Sequence, residues 1–409
     1  MPAMRPELAP STFNLAHIQD VPHAHPLPPL ILALALCLIT LAVNLPAPLY
    51  TAYADLSNRG AGATAVAFSS YVLGVIPVLV TLGGLGDRIG RRPLILTALA
   101  LSILATLLLM LAPSLETLAA ARLVLGLGTG LATATATAYM CDLMADGDST
   151  RAASWVTAST SIGFGLGAAL TSLALLQGST LVPITFPLQV LLAGLILALA
   201  WRLPDPRPAH RAPMLRLPFY PAGSVPHGLA ILLAWACSGL VIALLPAILR
   251  QHGLNDWSGL ATFCVISCGL IFQPLARRMP STRATLLGLA ILPCSYALIA
   301  WGADQGTLAV VLLGAVAASS ACYGFIYLGG LAAVNELAGQ EKARASAGFF
   351  LLAYLGFSLP VIFTGVLSDQ LGTRTALLVF GAILLLGCLL AIAALVRTGK
   401  ALAPDYRAG

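Results

Sequence analysis

The chain has 409 residues, of which 59% are hydrophobic and only 9% charged, and its formal net charge is +6. An ordinary soluble protein is about 25% charged, so this chain has too little polar surface to cover itself in water, and lipid is the expected solvent. The positive balance is no nucleic-acid signal, because its distribution along the chain follows membrane topology.

Residues 1–28 are polar, with Pro and His, and lack the pattern of a cleavable leader; they read as a cytosolic tail. A helix needs about 20 apolar residues to cross a bilayer core. Twelve runs satisfy this: 29–50, 63–85, 93–112, 116–140, 152–176, 181–201, 227–249, 257–276, 284–303, 307–332, 346–366 and 375–396. Between the sixth and seventh, residues 202–226 hold Pro204, Pro206, Pro208, Pro213, Pro218, Pro221 and Pro226 and read as a linker. Residues 397–409 form a second cytosolic tail. With both termini in the cytosol, 17 of the 21 Lys and Arg residues are cytosolic, Arg59, Arg250 and Arg374 are outside, and Arg122 lies within a span. The positive-inside rule selects that orientation and an even number of spans.

The two halves repeat. Leu45-Pro46-Ala47-Pro48-Leu49 ends the first run and Leu245-Pro246-Ala247-Ile248-Leu249 the seventh. Gly163-Phe164-Gly165-Leu166 and Thr171 in the fifth run match Gly356-Phe357-Ser358-Leu359 and Thr364 in the eleventh. Asp142 with Arg151, after the fourth run, answers Glu336 with Arg344, after the tenth. The order indicates a duplicated six-helix unit, 29–201 and 227–396.

Between the second and third runs stands Gly83-Gly84-Leu85-Gly86-Asp87-Arg88-Ile89-Gly90-Arg91-Arg92-Pro93. Glycines there let a helix end touch its neighbour and turn. The pattern G-x-L-x-D-R-x-G-R-R resembles the signature loop of the major facilitator superfamily, and the resemblance covers roughly residues 28–397. A basic topological loop is the plainer alternative, but the spacing of Asp87, Gly90 and the arginines argues against it. The resemblance implies an all-α polytopic membrane protein, twelve transmembrane helices in two pseudo-symmetric six-helix bundles, rocking about a midplane site. It also makes Gly83, Asp87, Arg88, Gly90, Arg91 and Arg92 a gate motif. Asp87 would face the start of the eleventh helix near Ser346, and Arg88 and Arg91 would pair with Asp142 and Glu336. The second half keeps no such loop: Gln273-Pro274-Leu275-Ala276-Arg277-Arg278-Met279-Pro280 puts Arg277 where the acid would stand and Pro280 where the glycine would.

Arg122-Leu123-Val124-Leu125-Gly126-Leu127-Gly128 resembles the fourth-helix motif associated with proton-coupled members, which makes Arg122 the coupling candidate. An Arg inside a span costs about 2.5–3.5 kcal/mol on insertion scales. The other reading is a structural Arg, snorkelling to the outer end or bonding backbone carbonyls. Gly163, Gly165 and Gly167 carry the glycines of an antiporter-type fifth helix without an adjoining proline, and Pro360 occupies the matching site of the eleventh helix. Close helix packing is the preferred reading of these glycines.

The family's cavity is lined by the first, fourth, seventh and tenth helices. Its candidates here are Asn44, Thr129, Thr133, Thr137, Trp235, Ser238, Ser319, Ser320, Tyr323 and Tyr327, with Tyr354 beside them. Each single Ser or Thr is as readily a packing residue. Tyr50 and Tyr53, near a span end, read as an interfacial belt. The eight cysteines (37, 141, 237, 264, 268, 294, 322 and 388) read as small buried apolar residues, not disulfides or metal ligands. None of the fifteen Asp and Glu lies in mid-span. A cavity without a fixed acid suits a neutral, apolar or anionic small molecule, and it leaves the proton carrier unidentified: Asp55, Asp87 and Asp142 are peripheral candidates, and the substrate itself as carrier, or no coupling, are the alternatives.

No enzyme or nucleotide-binding constellation is present, so no cofactor, metal or nucleic acid is expected. The expectation is a monomeric transporter in a bacterial inner membrane. It would export a small apolar or neutral compound in exchange for protons by alternating access. Uptake or facilitated diffusion of a neutral metabolite is the alternative, and a non-transporting sensor or scaffold the second.

Overall fold

The structure, a computed structural model, describes residues 27–144, 147–205, 214–215 and 217–401, with side chains to 397. The tails 1–26 and 402–409 and the linker positions 206–213 and 216, including Pro206, Pro208 and Pro213, lie outside the described residues. The described chain is helical: α1 (Leu27–Leu56), α2 (Ala61–Thr81), α3 (Arg92–Leu111), α4 (Leu115–Leu143), α5 (Ser149–Leu175) and α6 (Thr185–Ala200) precede the linker. After it come α7 (Val225–Arg250), α8 (Asn255–Ala276), α9 (Ser281–Asp304), α10 (Leu308–Leu337), α11 (Gly339–Leu371) and α12 (Thr373–Arg397). Eleven are long and apolar enough to cross a membrane, and α6, with 16 residues, is shorter.

Three helices depart from the continuous runs expected. The first was expected to end at 50. Instead α1 stops being α-helical at Asn44, passes through a 3-10 turn at Ala47–Leu49 and resumes at Tyr50–Leu56. Pro46 and Pro48 have no N–H to continue the ladder. The re-entry turns Tyr50 and Tyr53 inward, so both are fully buried and neither is a belt residue. The Tyr53 hydroxyl donates to the Leu181 carbonyl at 3.1 Å. Next, α8 is interrupted at Cys268. Last, α10 carries a seven-residue π-helical stretch, Ser320–Ile326, a distortion frequent at functional sites. The cysteines are all unpaired, and Cys294 is exposed, against the expectation of burial.

Helices α1 to α6 pack on one another, as do α7 to α12, and the two groups meet through α2 with α11 and α5 with α8. In lipid such contacts rest on close packing rather than on water exclusion. The largest buried cluster includes Tyr50, Phe68 and Tyr71 together with Leu240, Leu244 and Phe357, so both groups share it. A second cluster, Ile31 to Leu203, contains residues of the first group and of the start of the linker and sits towards the linker. The groups therefore share a core at the end away from the linker (the far end) and separate towards the linker end.

Candidate functional site

Burial along the inner helix faces locates the opening between the groups. Arg122, Thr129 and Thr133 follow at helical spacing on α4; the first two are buried and Thr133 is exposed, as is Thr137. On α11, Phe357 and Tyr354 are buried while Phe350 and Ser346 are half-buried. The space between the groups is therefore closed at the far end and open at the linker end. One wall carries the hydroxyls of Thr133 and Thr137. The other is aromatic: Trp235 of α7, Tyr323 and Tyr327 of α10, and Phe350 and Tyr354 of α11. Trp235 stands edge-on to Tyr354 at 5.1 Å and 6.3 Å from Tyr323, with Phe357 at 5.9 Å beneath. The Trp235 indole N–H has no hydrogen-bond partner. Of the expected cavity residues, Thr129, Ser238 and Ser320 are buried and donate to their own helices' carbonyls, at Leu125, Ala234 and Ala317, so they are packing residues here. Every described Asp and Glu lies at a helix end or in a connection.

Arg122 is fully buried and does not snorkel. Its Nε donates to the Phe68 carbonyl at 3.1 Å and its Nη1 to the Val43 carbonyl at 2.8 Å. The guanidinium lies 4.5 Å from the Phe68 ring centroid and 5.1 Å from that of Tyr71. Val43 belongs to the last turn before the Pro46 break, where carbonyls lose their ladder partners. The Arg thus caps the first segment of α1, where a cation also complements the helix dipole. Its Nη2 has no partner. Next to it, Asn44 donates Nδ2 to the Phe164 carbonyl at 3.0 Å and leaves Oδ1 unpartnered.

At the far end, bonds cross between the groups. Asp369 of α11 accepts from the backbone N–H groups of Ala61 and Gly62 at the start of α2, both at 2.8 Å. Arg250 pairs with Asp55, and the Gly259 N–H donates to the Ser172 hydroxyl at 2.9 Å. A cavity of ≈ 430 Å³ lined by Thr51, Asp55, Arg59 and Arg250 lies there.

At the linker end the charged loop bonds mostly within its own group. A short helix, Gly86–Ile89, presents Asp87 to Arg91 at 3.4 Å, and Arg91 also pairs with Asp142 and donates to the Ala138 carbonyl at 2.9 Å. Expected pairings are corrected here: Arg88 is exposed and takes part in neither pair, and Glu336 accepts from Ser281 at 2.8 Å instead of from an arginine of the loop. Ser346, expected opposite Asp87, donates to Asn335 at 2.9 Å. Gly83 is buried in the turn before the short helix. Arg151 stands in the first turn of α5, its backbone N–H directed to Asp148 at 3.3 Å. Arg277 donates to Ser154 at 3.0 Å, joining α8 to α5.

The linker is pinned at both described ends. Asp205 accepts from the backbone N–H groups of Arg91 and Arg92 at 2.9 and 3.1 Å, capping α3. Arg92 Nη1 donates to the carbonyls of Trp201 and Leu203. Gly90 has φ +99°, and a Cβ there would sit 2.2 Å from the Asp205 carboxylate. At the other end, Arg344 donates to the Leu217 carbonyl at 3.1 Å, pairs with Glu341 at 3.2 Å, and accepts on its own carbonyl from the Phe219 N–H. Replacing Asp205 by alanine is expected to cost about 1 kcal/mol, as loss of a helix cap does. A thermal unfolding measurement and faster amide exchange at 90–95 would register it. The cap acid was legible only as the first acid after the sixth run, with nothing to name its partner.

The profile of the Major Facilitator Superfamily matches residues 32–359. Among solved structures, a mutant form of the nucleoside transporter NupG is similar with a TM-score of 0.72 and 13% identity, over 89% of this chain and 99% of that one. A bacterial homolog of the human lysosomal transporter Spinster, inward-facing and unoccupied, has a TM-score of 0.69 and 17% identity, over 92% and 98%. A D-xylose-proton symporter has 0.67 and 17%, over 89% and 96%. At these identities the likeness concerns the fold. An uncharacterized transporter of Rickettsia bellii (strain RML369-C) is 34% identical over 93 residues, and the match spans about a quarter of each chain, 22% of this one and 23% of that one.

Proposed function

The chain belongs to the major facilitator superfamily, and from that premise we propose a secondary transporter that works by alternating access between two six-helix halves. We take the linker end as the cytosolic end, because among the described residues the cations of the connections and helix ends gather there, with Arg59, Arg250 and Arg374 at the far end. On this reading the structure is the inward-open state. The observation that carries the proposal is the asymmetry of the core: buried contacts and backbone bonds join the halves at the far end, while at the linker end the second cluster stays within one half and the exposed Arg277–Ser154 bond crosses. A rigid channel has no need of such one-sided closure.

The substrate is small and mostly apolar or neutral. An aromatic wall opposite two threonine hydroxyls, with no described acid between them, offers a cation no counter-charge. The direction is export, in exchange for protons, across a bacterial inner membrane by a monomer. Arg122 is the coupling residue, through its hold on the α1 break beside Asn44. The gate at the cytosolic end is the 83–92 loop with Asp142, Arg151, Glu336 and Arg344. Asp87→Asn is expected to slow counterflow in proteoliposomes about fivefold, the effect of about 1 kcal/mol on the gate, with unchanged membrane abundance. Wild-type turnover in that variant would remove the loop from the gate.

Uptake or facilitated diffusion of a neutral metabolite is the second reading. It is favoured by the lack of a described acid in the chamber to carry a proton, and similar folds include a nucleoside transporter and a D-xylose-proton symporter. Transport indifferent to a pH gradient would select it, and no transport of neutral, anionic or cationic aromatic probes would select a sensor.

A further inference from the structure

We propose that Asp369 is the far-end counterpart of the Asp87 loop: a carboxylate at the end of α11 that holds the first turn of α2 and must release it for that end to open. The inference rests on the alternating-access reading. Residue Gly60 is the N-cap of α2 and has no side chain to bond the first N–H groups. The missing cap comes instead from the other half, as the two Asp369 oxygens take the Ala61 and Gly62 N–H groups, each at 2.8 Å.

The seat is shaped for the carboxylate. A Cβ on Gly60 would lie 2.4 Å from Asp369 Oδ1, and one on Gly62 2.9 Å from Oδ2. One turn along, Gly365 of α11 lets the backbones touch, since a Cβ there would be 2.8 Å from the Ala61 carbonyl. An acid in the last turn of its own helix is unfavourable to that helix's dipole, whereas at the start of another helix it is favourable. Asp369 occupies both positions, so separating the helices turns a stabilising charge into a destabilising one.

Helices α2 and α11 run antiparallel. At the far end Asp369, in the last turn of α11, meets the first turn of α2 at Ala61; at the linker end Asp87 follows the C-terminus of α2, at the end where α11 begins. In this structure the first contact is made, while Asp87 is turned to Arg91. The same helix pair thus carries one carboxylate latch per end, and the equilibrium between access states is their competition.

Hydrogen exchange followed by mass spectrometry on the full chain in lipid nanodiscs tests this. In Asp369→Asn, peptides covering 60–66 are expected to exchange about fivefold faster or more. Peptides covering 83–92 and 342–350 are expected to exchange more slowly, because the linker end closes. Asp87→Asn should leave the far end protected, and the double variant should return towards wild type. Faster exchange at both ends in Asp369→Asn means general loosening and overturns the proposal, as does unchanged exchange at 60–66. If Asp369→Asn does not fold, Gly62→Ala, which crowds the seat and keeps the acid, must give the same opposed changes or the proposal fails. Opposed changes without substrate counterflow would keep the latch and remove the transport reading; counterflow with no opposed changes would remove the latch alone.

Discussion

Replacing Arg122 with leucine is expected to leave a folded protein that transports at least tenfold more slowly. A buried cation with no acid beside it is costly: effective penalties are about several kcal/mol per buried ion. Arg122 recovers part of this through two carbonyl bonds and two aromatic faces, and one of its nitrogens has no partner. Leucine removes the charge and leaves the Val43 carbonyl without its donor, a loss of about 1–3 kcal/mol. The two effects oppose, so the net change in stability is small. The loss of transport follows from freeing the α1 break beside Asn44, and tenfold corresponds to about 1.4 kcal/mol. Thermal unfolding and counterflow on one preparation separate the effects. Full transport in the leucine variant would make Arg122 a structural cap only.

Valine at Gly126 is expected to abolish the folded protein. Here α4 crosses α2 backbone to backbone: a Cβ at Gly126 would be 2.1 Å from the Tyr71 carbonyl, and one at Gly74 would be 2.3 Å from that of Leu123. Neither atom can yield by rotating a side chain, so the helices must part along their length. Overpacking of well-packed sites costs about 1–3 kcal/mol and more where backbone must move. The contrast is Gly194 in α6, which has open space around it. Alanine there is expected to stabilise slightly, by up to about 1 kcal/mol. Folded yield and melting temperature of the two variants check both signs. A Gly126→Val protein that melts with wild type would show that the two helices can part at this crossing without cost.

Pairings at the 83–92 loop were only half legible. Spacing alone offers both Arg88 and Arg91 to Asp142, and the choice is made by the short helix Gly86–Ile89, which leaves Arg88 exposed and brings Arg91 between two acids. Tyr50 and Tyr53 follow the same logic. Their place at a span end suits a lipid interface, but the break at Pro46 and Pro48 rotates them inward. Among the polar cavity candidates, Thr133 and Thr129 have the same chemistry and lie one turn apart. One is exposed and the other bonded to its own helix, because the opening lies towards only one end.

The apolar runs, the proline-rich linker, the confinement of all but one cationic residue to the connections and run ends, and the charged loop were readable from the amino-acid order alone. They rest on transfer energies that add residue by residue along a segment, whatever it packs against. Which end is closed, which arginine meets which acid, and that Asp369 caps a helix about three hundred positions earlier were decided only by tertiary structure. Those contacts depend on the relative placement of two helix backbones to within an ångström, and glycine spacing permits that approach without specifying the partner.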